Sequence, residues 1–218
     1  MTESIPTQTT TATQLPMLAR CHARAFPRSL SSQMGKAYLI KMLSWYLSTD
    51  KTFLFHLEEN GQCLGYCGGM ISDGTLPTGS ASGMTQYSFR EAIQAFLLRP
   101  WLLLHPEVRK KYPFIWRNLW MKLGLKKKQQ RSSAVQMQLK REPQAGLVVI
   151  AVDPAFQGKG YGTVLLQEFE RRAVQYGIFK LQLSVRADNA QAIRAYERNG
   201  WHRGEQQGES LMMWKDAR

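Results

Sequence analysis

The chain has 218 residues, 44% of them hydrophobic and 21% charged, and carries a formal net charge of +13 at pH 7. That length suits one well-buried domain with room for an appendage, and the composition excludes a collagen, a coiled coil and wholesale disorder. The positive charge is not a property of the whole surface: residues 87–141 hold thirteen Lys/Arg against Glu91 and Glu107, a net of +11, so one segment carries most of it.

No stretch approaches the ~20 apolar residues of a membrane-spanning helix. Met1 to Pro6 lack a basic segment followed by an apolar core, so no secretory signal is expected. Cys21, Cys63 and Cys67 are odd in number, and Cys63-x-x-x-Cys67 is not a zinc spacing; a reducing, cytoplasmic setting is expected.

In chain order, the Thr-rich residues 5–10 form a weak first edge strand. Thr13-Gln14-Leu15-Pro16 opens a helix with Thr13 as cap and Met17, Leu18, Cys21, His22 and Ala25 as its apolar stripe, and Pro27 ends it. Ser31 or Ser32 starts a second helix that buries Leu39, Met42, Leu43, Tyr46 and Leu47. Residues 52–58 alternate as a strand in which His56 is half-buried, and Asn60-Gly61 supplies a hairpin turn. The return strand, Cys63 to Ile71, is thinned by Gly65, Gly68 and Gly69, which point to a bulge or to the close approach of a ligand. Residues 73–83 read as a flexible connector. Beyond it Phe89, Ala92, Ile93, Phe96 and Leu97 make one helical stripe, and Ile115, Trp116, Leu119, Trp120 and Leu123 a second. The basic run Lys126-Lys127-Lys128-Gln129-Gln130-Arg131 follows, then an alternation of Val135, Met137 and Leu139.

Leu147 to Val152 is an apolar run that predicts a strand buried on both faces, and Leu165, Leu166, Phe169, Ala173 and Tyr176 recur at helical spacing up to Gly177. Between them lies Asp153-Pro154-Ala155-Phe156-Gln157-Gly158-Lys159-Gly160-Tyr161-Gly162. Glycines at alternate positions before a helix start bring unpaired N–H groups and a partial positive charge to one point, which suits a diphosphate. A P-loop would need a hydroxyl after Lys159, where Gly160 stands. A dinucleotide fingerprint would need glycine at Thr163 and an acidic residue near Leu183.

Downstream, Leu181, Leu183 and Val185 alternate along a strand. Asn189 stands where an N-cap belongs, and Tyr196, seven residues or about two turns later, falls on its face of the helix. The glycine loop after Val-Asp-Pro, together with Asn189-x-x-Ala192-x-x-x-Tyr196 closed by Gly200-Trp201, resembles the GNAT superfamily of N-acetyltransferases. The resemblance implies an α/β (α+β) fold, a mixed central sheet with flanking helices and a splayed cofactor cleft. Residues 74–141 would then be a basic helical insertion within a single domain.

The resemblance also implies transfer of an acetyl group from acetyl-CoA to a primary amine by direct attack, with no metal. On that expectation the backbone of Ile150, Ala151 and Val152 pairs with the pantetheine arm, and N–H groups of Gln157, Gly158, Lys159, Gly160, Tyr161 and Gly162 take the pyrophosphate. Asn189 touches the cofactor, Tyr196 protonates the leaving thiolate, and residues 26–32 border the acceptor. Residues 146–201 look most like the branch that acetylates the N-terminal alanine of a ribosomal protein. Where that branch has a glutamate base, this chain has Ser184, which cannot take a proton unaided; Glu58, His56 and Asp73 are candidate substitutes. The missing carboxylate equally fits a degenerate module that binds CoA without catalysis. The segment 87–131 fits a helical cap or self-association surface, or an anionic membrane surface. Nucleic acid fits its charge, but no base-reading element is visible.

Overall fold

The computed structural model describes residues 5–74, 80–110, 112 and 142–217. The second apolar stripe, the lysine run and the alternation near 135–139 lie outside them. Seven strands form one sheet in the order β1-β2-β3-β4-β5-β7-β6, antiparallel except for the parallel pair β4 and β5. They are β1 (Thr7–Thr9), β2 (Thr52–Glu59), β3 (Gln62–Ser72), β4 (Gln144–Val152), β5 (Lys180–Arg186), β6 (His202–Gln207) and β7 (Ser210–Asp216).

Side-chain alternation gives the sheet two apolar faces. Phe53, Phe55 and Leu57 of β2 point to helix α7 (Tyr161–Gln175) and α8 (Ala190–Arg198), where Leu165, Phe169, Ile193 and Trp201 complete one core. Leu54, Cys63 and Tyr66 point the other way, to α1 (Leu15–Ala25) and α3 (Lys36–Ser44) and their Leu18, Leu39 and Leu43. The short helix α2 (Leu30–Gln33) joins α1 to α3, and α4 (Ser80–Tyr87), α5 (Phe89–Leu98) and α6 (Pro106–Arg109) lie between β3 and β4 in sequence. Glu168 is the buried charge of α7. Burial opposes its ionisation, but hydrogen bonds from Arg171 and Arg172 outweigh it and hold its pKa down. Arg172 also bonds Thr9 at 2.9 Å and so ties the edge strand β1 to α7.

Several local expectations shift. The first helix begins through a 3-10 turn, Ala12–Gln14, so Gln14 Oε1 accepts from Thr11 N at 2.9 Å and Thr11, not Thr13, opens it. Ser29 rather than Ser31 or Ser32 caps α2, and Gly35 at φ 96° breaks the second helix into α2 and α3. A 3-10 turn at Trp45–Leu47 rotates Leu47 outward, leaving it 38% exposed. His56 is fully buried, because β1 covers the outer edge of β2. Part of the connector is helical, as α4. The apolar residues of α5 do not share one face: Ala92, Ala95 and Phe96 turn inward, while Phe89, Ile93 and Leu97 are exposed.

The β3 glycines answer to packing. A Cβ on Gly69 would stand 2.3 Å from Phe53 Cζ and 2.8 Å from Phe169 Cε2, and one on Gly68 2.7 Å from the Tyr46 ring. At Gly146 the nearest atom would be 3.8 Å away. Gly69→Ala is therefore expected to cost about 2 kcal/mol, as overpacked cores do, and Gly146→Ala less than about 1 kcal/mol. Urea unfolding of the two variants checks this, and equal midpoints would contradict it.

Candidate functional site

The site begins with one surplus residue. Gly68 is registered with Val149 but Gly69 with Leu147, so Val148 is a bulge in β4, and the side chains of Val148 and Val149 both turn to the α1/α3 face. Pairing with β5 stops at the same place: Ala145, Gly146 and Leu147 face Leu181, Gln182 and Leu183, and nothing beyond is paired. Ser184, Val185 and Arg186 continue along β7 only, while Val149 to Val152 continue along β3 only. The sheet thus parts into a V. Asp153 N donates to Leu64 O on the β3 side, so strand alternation turns the peptide groups of Val152 and Ile150 to the parted edge and those of Ala151 toward Tyr66. The Val152 carbonyl accepts from Gln157 Nε2 at 3.2 Å.

The glycine loop sits at the open end of this V. Asp153 Oδ1 accepts from Ala155 N at 3.1 Å and starts the turn Pro154–Phe156. Gly158 and Gly160 have φ of 78° and 85°, a region strained for any other L-residue, and Gly160 is the N-cap of α7. No heavy atom lies within 4 Å of a Cβ built on Gly158, Gly160 or Gly162. Among the described residues, the N–H groups of 158–162 have no acceptor. The loop offers free donors, a helix start and open space, which is the donor set a diphosphate needs.

Across the V, Asn189 Oδ1 accepts from Ala192 N at 3.1 Å and caps α8. Tyr196 lies two turns on, buried against Trp201 with ring centroids 6.1 Å apart, and its hydroxyl makes no hydrogen bond among the described residues. Burial, with the Cys67 thiol as a lesser cause, pushes its pKa up to about 12. Cys67 stands opposite Ile150, and Tyr196 shares the core on that face of the sheet with both.

Residues 15–201 match the acetyltransferase (GNAT) family. The chain belongs to this family. Over 59 residues it is 44% identical to the [Ribosomal protein bS18]-alanine N-acetyltransferase of Salmonella typhimurium and 42% to that of Escherichia coli K12, covering 27% of this chain. It spans 40% of the length of these curated relatives. Among solved structures it is similar to the PaiA N-acetyltransferase of Thermoplasma acidophilum in complex with coenzyme A, with a TM-score of 0.59 and 13% identity over 98% of this chain and 99% of that one. The ribosomal-protein-S18-alanine N-acetyltransferase of Escherichia coli gives a TM-score of 0.53 and 16% identity over 97% and 93%. At such identities the structures establish the shared GNAT fold.

The three candidate bases do not face the GNAT cleft. His56 is sealed between Thr10 Oγ1 at 2.9 Å and Glu58 Oε2 at 3.2 Å, and burial is the main cause that lowers its pKa. Glu58 is thereby engaged two strands from β4. Asp73 follows the end of β3 that pairs with Gln144, at the far end of the sheet from the V, and bonds Lys51 at 2.8 Å. Ser184 is the first β5 residue beyond the parting and is exposed. A concavity of about 740 Å³ lined by Gln182, Met212 and Trp214 lies at the start of β4, away from the glycine loop.

Two features left no signal in the sequence. Arg24 at the end of α1 pairs with the buried Asp153 carboxylate at 2.6 Å, an ion pair rather than an aligned hydrogen bond, and fixes α1 to the end of β4. Next to it His22 Nδ1 bonds the Tyr66 hydroxyl and Nε2 meets Ser31 Oγ at 3.0 Å. Burial keeps Tyr66 protonated, and Nδ1 is its partner, so Tyr66 donates to Nδ1 and Nε2–H donates to Ser31. Ser31 lies in the first turn of α2, within the stretch 26–32, and the segment between β3 and β4 braces that stretch. His105 Nε2 meets Arg28 O at 3.1 Å, Leu30 N donates to Glu107 at 3.2 Å, and Arg99 donates to Gln33 O at 3.0 Å.

Burial lowers the His22 pKa from 6.5 to about 4. Its contribution to stability is then complete above the unfolded value and is lost as pH falls toward 4. Between about pH 7.5 and 4.5 the native protein should lose about 2.5 kcal/mol more than His22→Asn, measured by urea unfolding. An equal loss in both would place the titration elsewhere.

Proposed function

We propose that this protein transfers an acetyl group from acetyl-CoA to a primary amine by direct attack within a ternary complex. The observation that carries the reading is the parting of β4 from β5 at Val148, with the unpaired N–H groups of 158–162 at its open end. Acetyl-CoA supplies an activated acyl group on a thiolate leaving group. The peptide groups of Ile150 and Val152 bind its pantetheine arm as an added strand, with Ala151 holding the β3 side of the ladder. N–H groups of Gly158, Lys159, Gly160, Tyr161 and Gly162 hold the pyrophosphate, whereas that of Gln157 donates to Pro154 O at 3.5 Å, and Asn189 borders the arm from the other side of the V.

Tyr196 donates to the sulfur as negative charge builds there. A pKa of about 12 keeps this phenol protonated throughout the working range, so it acts as a donor and never as a base. The acceptor amine attacks only after losing a proton. That proton leaves to bulk solvent by way of a water held by the Ser184 hydroxyl, so that the neutral amine attacks, and the loop 26–32 borders the acceptor. The bS18-alanine relatives make a protein N-terminus one acceptor to try first.

Tyr196→Phe keeps the ring packing and removes the hydroxyl. Its kcat should fall by at least about 100-fold while acetyl-CoA affinity stays within about twofold, because general acids contribute on that scale. An unaltered kcat removes Tyr196 from the chemistry. Separately, Gly160→Val should abolish measurable acetyl-CoA binding in calorimetry, since it closes the loop and forces a β-branched residue to φ 85°. Retained affinity would overturn the cradle. The serine at 184 also favours a second reading, a fold that binds CoA without turnover. Acetyl-CoA consumption across peptides, amines and amino sugars separates the two.

A further inference from the structure

Helix α5 is apolar on two sides. Ala92, Ala95 and Phe96 pack with Leu30, Met34, Tyr38 and Leu102. Phe89, Ile93 and Leu97, spaced four apart, form a second stripe that is 57%, 44% and 77% exposed. Leu98, Trp101 and Leu104 extend it through the following 3-10 turn at 79%, 62% and 71%. Single exposed leucines are ordinary, but a run of six large apolar side chains marks a surface that something covers.

The charge of the segment selects the covering. Arg90 and Arg109 are exposed near either end of the stripe in sequence, and between Lys111 and Arg141 the chain carries nine more cations, so residues 87–141 have a net charge of +11. A second copy on a twofold axis would bring two like-charged segments together, with Arg90 and Arg109 of each at the contact. Nucleic acid would match the cations but offers Leu97, Leu98 and Leu104 nothing to pack on. An anionic bilayer meets every feature: acyl chains for the leucines, the headgroup level for Trp101 and lipid phosphates for Lys and Arg. Among the described residues no helix is long and apolar enough to cross a membrane.

We propose that the outer face of α5 and the 3-10 turn after it docks on an anionic membrane surface. Because Arg99, His105 and Glu107 tie this element to residues 28–33, docking sets the loop 26–32 beside the headgroups.

The test mixes the full chain with phosphatidylcholine vesicles, with or without phosphatidylglycerol, and measures flotation. The protein should float with the mixed vesicles and not with phosphatidylcholine alone, and added NaCl should release it. Leu97→Asp combined with Leu98→Asp should weaken binding at least about tenfold, with the thermal midpoint unchanged, because both side chains lie in solvent. Three results would overturn the proposal: no preference for anionic vesicles, binding untouched by the double substitution, or a dimer in sedimentation velocity that the substitution dissolves. None of these readouts involves acetyl-CoA, so a failure of the acetyltransferase reading is told apart from a failure here.

Discussion

Adjacent parallel strands in a buried sheet ordinarily stay hydrogen-bonded along their length, because each unpaired buried peptide group costs about 1–3 kcal/mol. In this protein β4 and β5 stay together for three residue pairs and then separate. The bulge at Val148 lets them do so, since an extra residue re-aims the strand while the ladder to β3 resumes beyond it. Packing holds the bulge in place from both faces. Tyr46 fills the space above Gly68, and Phe53 with Phe169 fill the space above Gly69, so β3 follows β4 through the kink. The open peptide edge and the glycine loop then become one continuous polar lining at the end of β4.

The other wall of the cleft is assembled from segments far apart in sequence. Arg24 fixes α1 to Asp153, so the loop 26–32 is anchored to the same strand end that leads into the glycine loop. His22 joins that loop to Tyr66, which stands opposite Ala151. From outside, Arg99, His105 and Glu107 brace it, and Lys110 reaches Glu209 in the β6–β7 turn at 2.6 Å. The segment between β3 and β4 is therefore not a passive appendage. It couples the loop beside one arm of the V to the hairpin beside the other.

Much of the glycine loop and of the two helices beside the V was legible in the sequence because their signals are local. Alternate glycines mark a loop whose backbone can come close to a ligand, and Gly158 and Gly160 are both in the left-handed region. Asn189 reads as a helix cap from its own position and caps α8. The alternation of Leu181, Leu183 and Val185 names their buried face without reference to any partner. Alternation along β2 predicts a half-buried His56 and says nothing of the edge strand that covers it completely. The same holds for α5, since a helix apolar on two sides looks in sequence like a helix with one broad face.

Local pattern in the chain sets a strand, a glycine turn and a helix start with free backbone donors, and a capped helix carrying Tyr196. Each of these is set by torsional preference and side-chain periodicity within a dozen residues. Long-range packing settles where β4 leaves β5, that His22 and Arg24 meet Tyr66 and Asp153, and which face of α5 remains open to solvent. Those outcomes depend on which distant elements compete for the same backbone groups and the same apolar surface, and no local pattern encodes that competition.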